Sequence, residues 1–174
     1  MKILIAYDSK TGTARECAEL LGKQLNSHNV TFFDLGKGAP TLSEFDFAVI
    51  GGSIRFGKLG GAARSFLSEQ KDEIGKMKHA FFICCAEFDE AEEHIKRNFD
   101  AELRKSAVIC SSFGGELRPE RHKGIEKLAV KLMRKSILSS EDINYPSEIR
   151  TMPAILPDTI AYFADKIKDS FAEN

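Results

Sequence analysis

Short apolar runs alternate with helical periodicities along most of this chain. Ile3, Leu4, Ile5 and Ala6 form one continuous apolar stretch, and a run of that length bounded by turn residues suits a strand buried on both faces of a parallel sheet. After a cluster of small polar residues, Ala14, Cys17, Ala18, Leu21 and Leu25 fall at i, i+3, i+4, i+7 and i+11, one face of a helix. The alternation then repeats. Residues 30–34 read as a second strand, 45–51 as a third ending in Gly51-Gly52-Ser53, 80–85 as a fourth and 107–113 as a fifth closed by Gly114-Gly115. Helices are predicted near 62–70, through the Gly- and Pro-free stretch 90–104, and at the end of the chain. There Ile160, Phe163, Ala164, Ile167 and Phe171 share a face, with Pro157 near the first turn.

Strands separated by helices predict a parallel sheet covered on both faces, with right-handed crossovers. The 174 residues are read as a single domain, 1–174, with an extra segment at 116–152. Hydrophobic residues at 43% and charged residues at 29% mark a globular chain. A net charge of −1 argues against nucleic acid as the main partner, and it lacks the strong acidity of a shuttle that docks by charge. With no long apolar run, and a first strand entered without a charged leader, the expected location is the cytoplasm. Cys17, Cys84, Cys85 and Cys110 lie in apolar segments as reduced packing residues, and no metal-ligand spacing is present.

The candidate chemistry lies in the loops that follow the strands. Directly after the first strand stands Ser9-Lys10-Thr11-Gly12-Thr13-Ala14. Ser9, Thr11 and Thr13 offer hydroxyls, the backbone around Gly12 and Thr13 offers amides, and the helix that follows points its positive end here, a setting for a monophosphate. An ordinary hydroxyl-rich turn with Thr11 or Thr13 as N-cap uses the same residues. The loop resembles the phosphate-binding loop of flavodoxins, Thr/Ser-x-Thr-Gly-x-Thr, with Ala14 in place of the last hydroxyl. That resemblance implies a flavodoxin-like three-layer α/β sandwich, its five parallel strands in the order 2-1-3-4-5. The ligand crevice of such a sheet lies beside strands one and three, where the order reverses; flavodoxin is a standing example of this rule.

Two more loops are then expected on the same rim. Gly52-Ser53-Ile54-Arg55-Phe56-Gly57-Lys58 spells G-x-x-x-x-G-K after a strand, but Leu59 stands where a nucleotide P-loop needs Ser or Thr for magnesium, and Gly60-Gly61 discourages a helix there. As a flavin loop it makes better sense: Phe56 suits a flat ring and Arg55 the negative charge of its reduced form. Packing for Phe56 and a salt bridge from Arg55 to Glu87 are the plain alternatives. Cys85-Ala86-Glu87-Phe88 follows the fourth strand, with Phe88 placed to cover the ring, and Phe113, Gly114 and Gly115 follow the fifth. No general acid or base stands out.

The segment 116–152 separates possible functions. Ile125, Leu128, Ala129, Leu132 and Met133 make one face of a helix expected to start near Pro119. Seven basic residues against two acidic ones give 118–135 a charge of +5 within a chain of −1. Such a helix suits an anionic membrane surface or an anionic substrate, or packs on the domain with its lysines solvated. This segment, the Ser53–Gly57 loop and the first-strand motif together resemble the bacterial menaquinone-dependent protoporphyrinogen dehydrogenases. The resemblance implies FMN held by Ser9, Lys10, Thr11, Gly12 and Thr13, by Ser53, Ile54, Arg55, Phe56 and Gly57, and by the loops at 85–88 and 113–115. It also implies electron transfer from a tetrapyrrole to a quinone at the inner face of the membrane. The insertion lacks the tyrosines and tryptophans expected beside a tetrapyrrole. An electron-carrying flavodoxin and a flavin-free interaction domain are the alternative readings.

Overall fold

The computed structural model describes residues 1–86, 89–116, 120, 124–139 and 154–172. Five parallel strands form its centre: β1 (Lys2–Asp8), β2 (Asn29–Asp34), β3 (Phe47–Arg55), β5 (Lys78–Cys84) and β6 (Cys110–Ser112), in the order β2-β1-β3-β5-β6. A short β4 (Lys58–Leu59) pairs antiparallel with the end of β3. Leaving that hairpin aside, the order is the predicted 2-1-3-4-5. β6 is shorter than residues 107–113, yet Val108 N–H donates to His79 and Phe113 N–H to Ile83, so backbone bonding extends past both its ends.

Side chains alternate across the sheet, and each face has its own core. Ile3, Ile5, Phe82 and Phe113 meet Cys17 and Leu21 of α1 (Thr13–Gln24) and Phe163 and Ile167 of α7 (Pro157–Ala172). Leu4, Ala6, Ile50 and Phe81 meet Phe66 of α2 (Gly61–Glu69), Ile74 of α3 (Lys71–Gly75) and Leu103 of α5 (Ala101–Ser106). Pro157 opens α7, where its missing N–H costs no hydrogen bond.

One local reading of the sequence needs correction. The stretch 90–104 is two helices, α4 (Ala91–Asn98) and α5, because Phe99 turns extended (φ −115°, ψ 139°) and the Asp100 carboxylate accepts from the Glu102 and Leu103 N–H groups, capping a new start. Phe99 is drawn inward to stack on Phe81, ring centroids 4.6 Å apart. The helix expected near 62–70 is α2, and Lys58–Leu59 before it is strand rather than the helix a P-loop would start there. α2 starts at Gly61, and its first N–H groups at Ala62 and Ala63 donate to the buried carboxylate of Asp8, at 3.0 and 3.3 Å. Gly60 permits this: a Cβ there would collide with that carboxylate. The helix expected in the extra segment is α6, Gly124–Ser139. Pro119, its expected start, lies outside the described residues.

Candidate functional site

The loops at the carboxyl ends of β1, β3 and β5 meet along one rim and enclose a cleft of about 440 Å³, within the usual range for small-molecule sites. One end of it is the turn from β1 to α1. Gly12 occupies the N-cap position of α1 in the left-handed region (φ 93°) and supplies no side-chain cap, which places neither Thr11 nor Thr13 in that role. Ser9 Oγ instead accepts from Arg15 N–H at 3.1 Å. Thr11 and Thr13 line the cleft, and Thr13 is buried. The start of a helix flanked by hydroxyls attracts anions through its N–H groups and its dipole.

The second wall is the β3–β4 hairpin. Ser53, Ile54, Arg55, Phe56 and Gly57 all line the cleft. Ser53 Oγ is buried there without a hydrogen-bond partner among the described residues, an unmet need that a polar ligand would satisfy. Phe56 is 81% exposed. Beside this wall, at the end of the neighbouring strand, stand Cys84, Cys85 and Ala86, with Gly115 against the Cys85 backbone. A Cβ on Gly115 would lie 2.7 Å from the Cys85 carbonyl carbon; only bare backbone fits at this point.

Several sequence candidates sit elsewhere or fall beyond description. Ser9, Lys10, Gly12 and Gly114 shape their turns without lining the cleft, and Glu87 and Phe88 lie outside the described residues, as does any Arg55–Glu87 bridge. Phe113 belongs to the core: fully buried, it stacks on Phe82 at 4.8 Å and meets Phe163 edge-on at 4.9 Å. Cys84 is 3% exposed, and its hydrogen bond with Cys17, which favours the protonated thiol, together with burial pushes it well above the usual range. It is a protonated packing residue at neutral pH.

Other cleft residues come from two helices. Glu90, His94 and Arg97 reach it from α4, and Ala129 and Val130 from α6. His94 is 2% exposed, its Nε2 3.7 Å from the Glu90 carboxylate, and Arg97 lies 3.5 Å from Glu93. A periodic helix with charges on every side does not announce which of them faces a crevice. Leu128 and Leu132 of α6 are both 59% exposed, so these two positions do not pack on the domain. The described residues hold no cluster fit for a metal ion, and none of their helices is long and apolar enough to cross a membrane.

A family model described as a flavodoxin domain matches residues 4–143. The chain belongs to the flavodoxin-domain family. Among curated relatives of this flavodoxin-domain chain is the Escherichia coli (strain K12) protein named protoporphyrinogen IX dehydrogenase [quinone], 24% identical over 151 residues, covering 78% of this chain and 80% of that one. Among solved structures, the Fusobacterium nucleatum flavodoxin bound to flavin mononucleotide aligns over 97% of this chain and 98% of its own, at 11% identity and a TM-score of 0.51. That likeness concerns the fold. The rubredoxin oxygen:oxidoreductase of Desulfovibrio gigas aligns at 12% identity and a TM-score of 0.48, covering 77% of this chain, which spans only 34% of that longer protein.

Proposed function

We propose that this flavodoxin-domain protein binds FMN in the rim cleft and works as a quinone-linked oxidoreductase of the protoporphyrinogen dehydrogenase type. The observation that carries the reading is the convergence, in one open cleft, of the glycine-capped β1–α1 turn with the unsatisfied Ser53 hydroxyl. FMN, when bound, supplies two-electron chemistry that no side chain here provides. The protein's own residues bind and tune. Ser9 and Gly12 fix the turn, Thr11 and Thr13 with the first amides of α1 hold the phosphate, and Ser53 offers its hydroxyl to a polar edge of the ring system. Arg55 sets positive charge against the ring, favouring its anionic reduced form. Gly115 keeps the far wall thin enough for a flat group to lie against backbone.

The quinone and tetrapyrrole parts of the proposal rest on the relative from Escherichia coli and on α6. Lys127, Lys131 and Lys135 of that helix are exposed beside the equally exposed Leu128 and Leu132. This amphipathic surface suits peripheral contact with an anionic membrane, where a quinone resides.

The test is titration of the purified protein with FMN, followed by fluorescence quenching, and then reoxidation of the reduced complex by menadione with porphyrinogen as donor. Tight binding and two-electron turnover are expected. A complex that passes electrons singly to a protein acceptor and ignores quinone would make it a carrier, and absence of FMN binding would leave only the fold.

A further inference from the structure

The hairpin that carries Ser53–Gly57 into the cleft is short. Two residue pairs join its arms, Ile54 with Leu59 and Arg55 with Lys58, and so small a ribbon keeps its shape poorly on its own in water. Its two central residues, Phe56 and Gly57, both have positive φ, 50° and 75°. Glycine enters that region freely, whereas a phenylalanine there is strained. The Phe56 side chain is 81% exposed, so burial offsets little of the strain. The turn depends on bonds from outside itself.

Those bonds come from α4. Asn98, its last residue, accepts through Oδ1 from the Leu59 N–H at 2.7 Å. Its Nδ2 donates to the Gly57 carbonyl at 3.0 Å and to the His94 carbonyl at 2.9 Å. The amide oxygen thus meets a donor and both amide hydrogens meet acceptors, which fixes the orientation of the group. An aspartate of the same size would turn an oxygen toward two carbonyl oxygens.

The partners of this amide differ in how firmly they are held. Leu59 is 2% exposed and belongs to the core that includes Phe66 and Ile74; Gly57 stands at the tip of the turn. Asn98 ties the tip to this anchored residue, and ties both to a helix whose His94 and Arg97 line the same cleft. Arg97 Nη1 also lies close against the turn, 3.2 Å from where a Cβ on Gly57 would stand.

We infer that Asn98 is a positioning residue for the cofactor, holding the turn from Ser53 to Gly57 in its binding shape before the cofactor arrives and fixing the spacing between that turn and α4. The inference rests on the proposed FMN site and deepens it by naming what sets the geometry of one wall. Asn98 does not itself line the cleft; it acts through residues that do. A turn already ordered has little freedom left to lose when a ligand settles against it, so the lock raises affinity without touching the ligand.

The experiment uses Asn98→Ala and Asn98→Asp in the full chain, with Asp100→Ala for comparison. Asp100 lies two residues further on, accepts from the Glu102 and Leu103 N–H groups and pairs with Lys71 at 2.7 Å, all away from the hairpin. Four quantities are read: the melting temperature without flavin, hydrogen exchange at the Leu59 amide, the dissociation constant for FMN, and the visible circular dichroism of the flavin at saturation. Asn98→Ala should free the Leu59 amide to exchange, raise the FMN constant roughly tenfold and alter the dichroism of the bound flavin. Asn98→Asp should raise the constant at least as much, because it keeps the acceptor and loses both donors. Asp100→Ala should also melt lower, yet keep the FMN constant within about twofold and leave the dichroism unchanged. An FMN constant in Asn98→Ala within about twofold of the unsubstituted protein overturns the inference. So does an equal loss in Asp100→Ala, which would reduce the effect to general loosening of this part of the chain. Absence of FMN binding by the unsubstituted protein is a separate result: it removes the proposed function and the positioning role with it, while slow Leu59 exchange would still report the lock.

Discussion

At the base of the cleft β3 and β5 run side by side with Gly51 pressed against Phe82, whereas at its mouth Phe56, Leu128 and Leu132 stand 81, 59 and 59% exposed. The base is held by burial and by backbone contacts too close for any extra atom. The mouth is held by a few directional bonds, chiefly those of Asn98, and leaves apolar surface in water. Stability and recognition therefore draw on different residues, and substitutions at the two ends should report differently.

The largest effect is expected at the base. Gly51→Ala places a Cβ against the Phe82 carbonyl oxygen and ring, and since backbone cannot step aside it should cost upwards of about 3 kcal/mol, read by urea denaturation. A loss below about 1 kcal/mol would mean that the two strands separate more easily than their packing implies. Asp8→Ala comes next: it strips the carboxylate from the Ala62 and Ala63 N–H groups, and about 2 kcal/mol should be lost. Asp8→Asn, which keeps an acceptor, should restore part of this.

A smaller, pH-dependent loss is expected in the same sheet. Burial pushes the Cys110 thiol up to about 11 from 9.0. The unfolded chain releases this proton first, so between those values the unfolded state binds fewer protons and stability falls as pH rises. Denaturation midpoints taken across this window should drop, and Cys110→Ala should flatten the decline. The smallest effect on stability belongs to the mouth. Leu128→Ser with Leu132→Ser should stay within about 0.5 kcal/mol of the parent, while binding to anionic vesicles decreases; unchanged vesicle binding would remove these leucines from any membrane contact.

The same contrast explains what could be read from residues alone. Ile3–Ala6 and the run at 80–85 announce buried strands because a strand covered on both faces must be apolar throughout, and the hydroxyl-rich turn follows the first of them directly. Elements fixed by distant partners gave no such sign. The helix near 62–70 was legible but the carboxylate that caps it, 54 positions earlier, was not, and the break between α4 and α5 depends on Phe99 stacking against Phe81. The lengths of β3 and β4 beyond the sheet depend on Asn98, 39 positions after the Leu59 amide it accepts from. Of the cleft, the turns after strands were legible, since polar and glycine clusters mark them. His94 and Arg97 were not, because periodicity on a short helix with few apolar residues does not reveal which side is inward. Phe113 misled for the opposite reason: its place at a strand end suggested the rim, while alternation along β6 turned it to the core.

The cap that Asp8 provides for α2 has a consequence for anyone transplanting this site. The residue that ends β1 and opens the hydroxyl turn is also the anchor of a helix far along the chain, and it tolerates no side chain at Gly60. A graft of residues 8–14 onto another sheet would arrive with an unmatched carboxylate under its surface. The portable module is larger than the visible motif, and it includes a glycine that does not line the cleft.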